Sequence, residues 1–336
     1  MNRTDSTRIH IDGAACVRSR LLLAGCDACQ RICPVDAIDL GARRPKVDTL
    51  SCTGCGACVA VCMEGVFSQP APLPKPQGDT MLVQCRCHSQ AKNIPATNCI
   101  HSIGLNDLAR MWLDGVRHLL VATGGCPTCE AAPMVWIETA VADFNQLADS
   151  RALPGIEMAI ASKRDMARWH QALDAPDPSR RAFLRRFVAP PANETPDPED
   201  TPLHKFLIQG HAPDPAKTLY PFSPHIDATR CTGCDDCVNI CPHDALTLIK
   251  AQNGKSLYHC APERCTGCQL CSDICDVQAV GVQGMGHRGA DILLTRFHCR
   301  ACGVETHSTS AQAPENGLCR ICQHTDHHKK LFVVLD

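Results

Sequence analysis

Cys231 to Pro242 reads CTGCDDCVNICP, four cysteines spaced C-x2-C-x2-C-x3-C. Thiols this close together cannot easily bridge one another, but they converge readily on a shared soft centre. The spacing is that by which thiolates wrap a cubane iron–sulphur cluster, with three ligands on a loop and a fourth at the start of a helix. Gly233 supplies a tight turn that aims backbone N–H groups at the cluster sulphurs.

Working outward, the same spacing recurs twice. CTGCQLCSDICD holds Cys265, Cys268, Cys271 and Cys275, and CTGCGACVAVCM holds Cys52, Cys55, Cys58 and Cys62, with Gly267 and Gly54 at the turn. A fourth, incomplete copy lies in SRLLLAGCDACQRICP, Ser19 to Pro34. Aligned on CPVDAI and CPHDAL, Cys26, Cys29 and Cys33 take its second, third and fourth ligand positions, and Leu23 falls on the first. Cys16 is the nearby thiol able to stand in, and a three-iron or absent cluster is the alternative. The LAGC within this stretch imitates a lipid-attachment signal. Leu21 to Gly25 are too few, after Arg18 and Arg20, to form the apolar region such a signal needs.

Composition agrees with a metal-built chain. Among 336 residues, 26 are cysteine and 4% are aromatic, so large apolar side chains alone do not fill the cores. The length suggests two to four domains. A net charge of −2 gives no general pull toward nucleic acid or anionic membrane. The opening MNRTDSTRIHIDGAAC is polar and reads as no export signal, and no run reaches the ~20 apolar residues of a membrane span. The expectation is a soluble, cytoplasmic protein with reduced cysteines and no direct membrane insertion.

On these motifs, residues 8–70 and 223–285 each resemble a bacterial two-cluster ferredoxin, a pseudo-twofold α+β unit. In that family the fourth cysteine of each motif reaches across to the other cluster. Carried over, the resemblance implies four [4Fe-4S] clusters: Cys26, Cys29 and Cys62 with Cys16; Cys52, Cys55 and Cys58 with Cys33; Cys231, Cys234 and Cys237 with Cys275; and Cys265, Cys268 and Cys271 with Cys241. Met63 and Asp276 depart from the proline that often follows the fourth cysteine.

The tail FHCRACGVETHS…GLCRICQH sets Cys299-x2-Cys302 sixteen residues before Cys319-x2-Cys322. Two such knuckles signal a zinc ribbon closed by four thiolates, with a single iron as the alternative. His324, His327 and His328 follow and read as a solvated stretch, since four-coordination is already complete.

Sixteen cysteines for clusters and four for the ribbon leave Cys85, Cys87, Cys99, Cys126, Cys129 and Cys260. Around the first five, TMLVQC reads as a buried strand, NDLARMWLDGV as an amphipathic helix and RHLLVATGGC as a second strand. CPTCEAAPMVWIETAVADFNQLA then reads as a turn and long helix. This βαβα order predicts a small parallel-sheet domain with cysteines at the strand ends, where such folds bind ligands. The strand–GGCPTC–helix segment weakly resembles the small iron–sulphur subunit of methyl-viologen-reducing hydrogenases, a family with a cluster at comparable strand ends. A fifth iron–sulphur cluster, a redox dithiol of Cys126 and Cys129, and inert buried thiols stay open for Cys85, Cys87, Cys99, Cys126 and Cys129. Cys260 reads as a bystander.

The expected fold class is thus α+β. It comprises a two-cluster ferredoxin domain (1–76), an α/β domain (77–174), a proline-rich linker (175–224), a second two-cluster ferredoxin domain (225–290) and a zinc ribbon (291–336). SRRAFLRRF, 179–187, imitates a twin-arginine signal but lies far from the N-terminus and lacks an apolar sequel. Paired clusters form a route for single electrons, and no nucleotide fingerprint, flavin motif or acid–base constellation accompanies them. The chain is expected to be a non-catalytic electron-transfer protein or subunit with a redox partner of formate dehydrogenase or hydrogenase type, and no nucleic-acid partner. A thiol/disulphide reductase using the middle-domain cysteines, or an accessory maturation factor, is the alternative.

Overall fold

The computed structural model describes residues 9–41, 43–69, 73–85, 99–123, 126, 129, 135–174, 201–210, 214–250 and 255–325. Cys87, the arginine-rich 179–187, the rest of 175–200, and His327 and His328 lie outside the described residues. Two compact units emerge: Met1–Arg20 with Asp27–Pro213, and Leu21–Cys26 with Asp214–Asp336. Among the described residues no helix is long and apolar enough to cross a membrane.

The first unit opens with β1 (His10–Ile11), α1 (Val17–Arg20), α2 (Ala28–Arg31), β2 (Ile38–Asp39), β3 (Lys46–Val47), α3 (Ala57–Val61) and β4 (Phe67–Ser68). β1 pairs antiparallel with β4 through Ile11 and Phe67, and β2 with β3 through Ile38 and Val47. One-turn helices of four or five residues are too short to persist alone. Here they sit between paired strands, around a small core of Ala15, Cys16, Cys29, Ile38, Cys58, Val66 and Phe67.

The chain then forms β5 (Thr80–Gln84), a 3₁₀ turn at Ile100–Ser102, α4 (Leu105–Leu113), β6 (His118–Ala122), α5 (Val135–Asp149), β7 (Glu157–Ile160) and α6 (Lys163–Asp174). The three strands are parallel in the order β5-β6-β7. A parallel sheet needs cover on both faces, which explains the near-continuous apolar runs of β5 and β6. Leu82 and its partner Leu120 pack against Trp169 and Met166 of α6. Alternation turns the buried Met81, Val83, Leu119 and Val121 to the other face. β7 is a strand that the periodicity did not announce, because its residues are mostly exposed at the sheet edge.

Part of the stretch read as linker is folded. α7 (Pro202–Leu207) starts on a Thr201 cap with proline in its first turn. It docks on the α/β domain, where Phe206 meets Trp112 edge-on at 5.2 Å and Phe144 at 4.6 Å. The buried Arg151 donates to the carbonyls of Leu147 and Leu207, tying the C-terminal ends of α5 and α7 together.

The second unit repeats the first module with longer strands: β8 (Leu219–Ile226), α8 (Asp236–Ile240), β9 (Leu246–Lys250), β10 (Lys255–Cys260), α9 (Leu270–Asp273) and β11 (Val280–His287). β8 pairs with β11 and β9 with β10, all antiparallel. β8 begins within the proline-rich stretch and includes Pro221 and Pro224; the ladder with β11 skips Pro221 and the facing Met285, which has a positive φ of 44°. β12 (Ile292–His298) and β13 (Glu305–Thr309) then extend the inner hairpin into one sheet, β13-β12-β10-β9, before α10 (Arg320–His324). The four-cysteine tail is therefore continuous with the second module.

Candidate metal centres

In the three complete motifs the backbone alternates handedness in the same way. Gly54 and Gly56, Gly233 and Asp235, and Gly267 and Gln269 all have positive φ, between +63° and +81°. This winds the loop so that successive N–H groups face inward and the cysteines converge. The incomplete first motif lacks the pattern among its described residues, and its Leu23 is 71% exposed to solvent.

Cys33, Cys52, Cys55 and Cys58 line one small apolar cavity, together with Val47 and Thr53. Cys241, Cys265, Cys268 and Cys271 line its counterpart in the second module. In each, three cysteines of one motif meet the fourth of the other. Cys231 and Cys237 lie within electrostatic reach of Cys275 in the same crossed arrangement, and Cys237 also within reach of Cys234. A second repeated detail concerns the crossing cysteine. Ala37 N donates to Cys33 Sγ at 3.3 Å, and Ala279 N donates to Cys275 Sγ at 3.1 Å. Cys16, Cys29 and Cys62 share the apolar core of the first module, whereas Cys26 belongs to the Leu21–Cys26 segment grouped with the other unit.

Burial pushes the Cys58 and Cys237 thiols up to about 12, helped by the charges of neighbouring cysteines. Without a cation, these thiols stay protonated at neutral pH. With one, soft donors in a dry cavity become thiolates, and binding releases protons. The Thr232 hydroxyl is buried with no hydrogen-bond partner, and the Thr53 hydroxyl faces the Cys55 thiol without a fully formed bond. Donor chemistry, apolar lining and inward N–H groups all fit an iron–sulphur cluster. When bound, such a cluster supplies one-electron storage at a potential set by burial and hydrogen bonds to sulphur.

In the tail, Cys299, Cys302, Cys319 and Cys322 place their sulphurs within 4.8 Å of one another, and Cys302 Sγ lies 3.9 Å from Cys319 Sγ. A tetrahedron of sulphurs about 2.3 Å from a central zinc has edges of about 3.8 Å. Cys319 N donates to Cys299 Sγ at 3.2 Å, and Cys319 Sγ accepts from Cys322 N as it caps α10. The Cys319 and Cys302 N–H groups draw the Cys299 thiol down to about 5, while burial pushes Cys322 up. Exposed His324 sits outside the four, at the end of α10.

Sequence reasoning missed what joins this hairpin to the cluster motif. Asp235, between Cys234 and Cys237, accepts Tyr258 Oη at 2.6 Å and lies 2.9 Å from His307 Nε2 on β13. Burial works to raise the Asp235 carboxyl, but these hydrogen bonds outweigh it and hold the group below its ordinary value. Thr309 Oγ1 donates to the carbonyls of Ala228 and Cys231. The partners lie 23 to 81 residues apart, so no local pattern marks them. Cys260 is wholly buried at the end of β10, its thiol pushed up to about 11 by burial, with Sγ 3.8 Å from the carbonyl of Ala290.

In the α/β domain, Cys85 directly follows β5, Cys126 and Cys129 follow β6, and Cys99 opens the 3₁₀ turn. Cys85, Cys99 and Cys126 are buried and Cys129 is partly so. No disulphide joins any described cysteine.

The family model of the 4Fe-4S dicluster domain matches the chain twice, over residues 24–66 and 230–279. No curated protein matches the chain at a significant level. The chain thus carries two ferredoxin-like 4Fe-4S dicluster modules, the signature of an iron–sulphur electron-transfer protein, and a C-terminal four-cysteine site able to bind a metal ion.

Proposed function

We propose that this chain relays single electrons to or from a partner oxidoreductase of formate dehydrogenase or hydrogenase type, through four [4Fe-4S] clusters. The observation that carries the reading is the crossed convergence of cysteines from two motifs on one cavity, seen in both modules. Cys33, Cys52, Cys55 and Cys58 hold one cluster, Cys241, Cys265, Cys268 and Cys271 another, and Cys231, Cys234, Cys237 and Cys275 a third. Cys26, Cys29 and Cys62 hold the fourth, completed by Cys16, which is buried in the same core as Cys29 and Cys62.

The residues around the sulphurs exclude water and direct N–H groups at them, and both effects tune potential. A polar cleft of about 790 Å³ opens beside Cys234, bordered by Lys250, Arg296 and Arg320, and gives a redox partner a close approach. Zinc occupies Cys299, Cys302, Cys319 and Cys322 as a structural ion. Thiolate-built clusters suit a reducing compartment, and we place the protein in the cytoplasm.

Controlled-potential reduction of the anaerobic protein, counted in electrons per chain, tests the relay. Uptake of about four electrons by the dicluster modules, fully reversed by a one-electron acceptor, is expected. A chain that takes up no electrons reversibly overturns the reading.

A further inference from the structure

The α/β domain holds a set of thiols that neither matched region covers. β5 and β6 run parallel with Gln84 opposite Ala122, so Cys85 and Cys126 leave the sheet at the same C-terminal edge. Parallel sheets bind their ligands in the crevice outside that edge. Cys129 N donates to the Cys126 carbonyl at 3.1 Å, which holds the two cysteines close together. Cys99 joins from the 3₁₀ turn, where Ser102 Oγ donates to its carbonyl at 2.6 Å. That turn lies directly on the first dicluster module. A Cβ added at Gly56 would come 2.9 Å from Ser102 Cβ, and one at Gly104 would come 2.9 Å from the Ala60 carbonyl oxygen. Cys99 therefore sits beside Cys55, and Cys85 and Cys129 lie within electrostatic reach of Cys99.

We infer that Cys85, Cys99, Cys126 and Cys129 hold a further iron–sulphur cluster, placed to exchange one electron with the cluster of Cys33, Cys52, Cys55 and Cys58. Thiols from two strand ends and a separate turn, gathered at a dry edge without a disulphide, have the donor set of a soft centre. Their spread argues for a cluster over a lone zinc. Among the described residues, the tail cysteines are the set drawn tightly enough for a single ion. The α/β thiols, like the dicluster quartets, stand wider. Each electron leaving one cluster arrives on the other, with no further reactant. The occupancy of the site is independent of the proposed relay; its role rests on that reading.

The test compares the full-length protein with Cys99→Ser and with the Cys126→Ser/Cys129→Ser double variant, all purified anaerobically. Iron, acid-labile sulphide and zinc are counted, and the reduced proteins are examined by electron paramagnetic resonance. Both variants should lose the same increment, about two to four irons with matching sulphide, while zinc and the dicluster signals stay. Iron and sulphide equal to the parent in both variants would overturn the inference and leave the dicluster reading standing. Mapping of thiol alkylation on the parent protein covers a variant that does not fold. Cys126 and Cys129 should be shielded until the clusters are stripped, and immediate labelling, or a reversible Cys126–Cys129 disulphide, contradicts the site.

Discussion

At the residue scale, the cysteines do little without the backbone that aims them. Gly233 shows why: at φ +77°, a Cβ there would stand 2.8 Å from the carbonyl oxygen of His307. Gly233→Ala combines a left-handed alanine, costing about 1–2 kcal/mol, with a backbone clash. The variant should lower the midpoint of chemical unfolding and carry less iron in the second module; parental iron and midpoint would show that the loop can relax. A different residue carries a pH effect. Asp107, in the first turn of α4, accepts the Gly104 N–H, but burial raises its carboxyl above the usual range. A raised acid favours folding while protonated, and that contribution fades as pH rises through the folded-state value. Asp107→Asn keeps the acceptor and removes the ionisation. Denaturation midpoints followed from about pH 4 upward should fall less in the variant than in the parent. The cysteines and the turn glycines were legible from spacing alone. The Asp235–Tyr258–His307 network was not, because its members meet only once β10 and β13 share a sheet.

At the scale of elements, the two strands of the α/β domain announced themselves by unbroken apolar runs, and α4 by its one apolar face. β7 was silent because an edge strand with exposed side chains has no periodicity to display. α7 was hidden for another reason. Proline suggests a linker when counted, yet Pro202 sits where a helix tolerates it, just behind a threonine cap. What fixes α7 is tertiary: Phe206 is fully buried between Trp112 and Phe144. Phe206→Ala should cost about 3–5 kcal/mol in the first unit and expose α7 to limited proteolysis. Unfolding at the parental midpoint, with α7 still protected, would mean the helix is held by Arg151 and its carbonyl contacts instead. In the second unit the tail sheet was legible as a separate ribbon, but not as an extension of β9 and β10, since strand pairing across modules leaves no mark in either segment.

At the scale of the whole molecule, the repeated motif explains the economy of the chain. Each dicluster module is two antiparallel strand pairs with one-turn helices between them, too small to hold together by apolar burial alone. Metal ligation supplies the missing cohesion, which is how so few aromatic residues suffice. The same logic extends to the tail, where four sulphurs are already gathered for one ion. The central claim is therefore a stoichiometry. Anaerobically purified full-length protein, assayed for iron, acid-labile sulphide and zinc per chain, should give at least about sixteen irons with matching sulphide and one zinc. Fewer than about four irons, or iron without sulphide, would contradict the account.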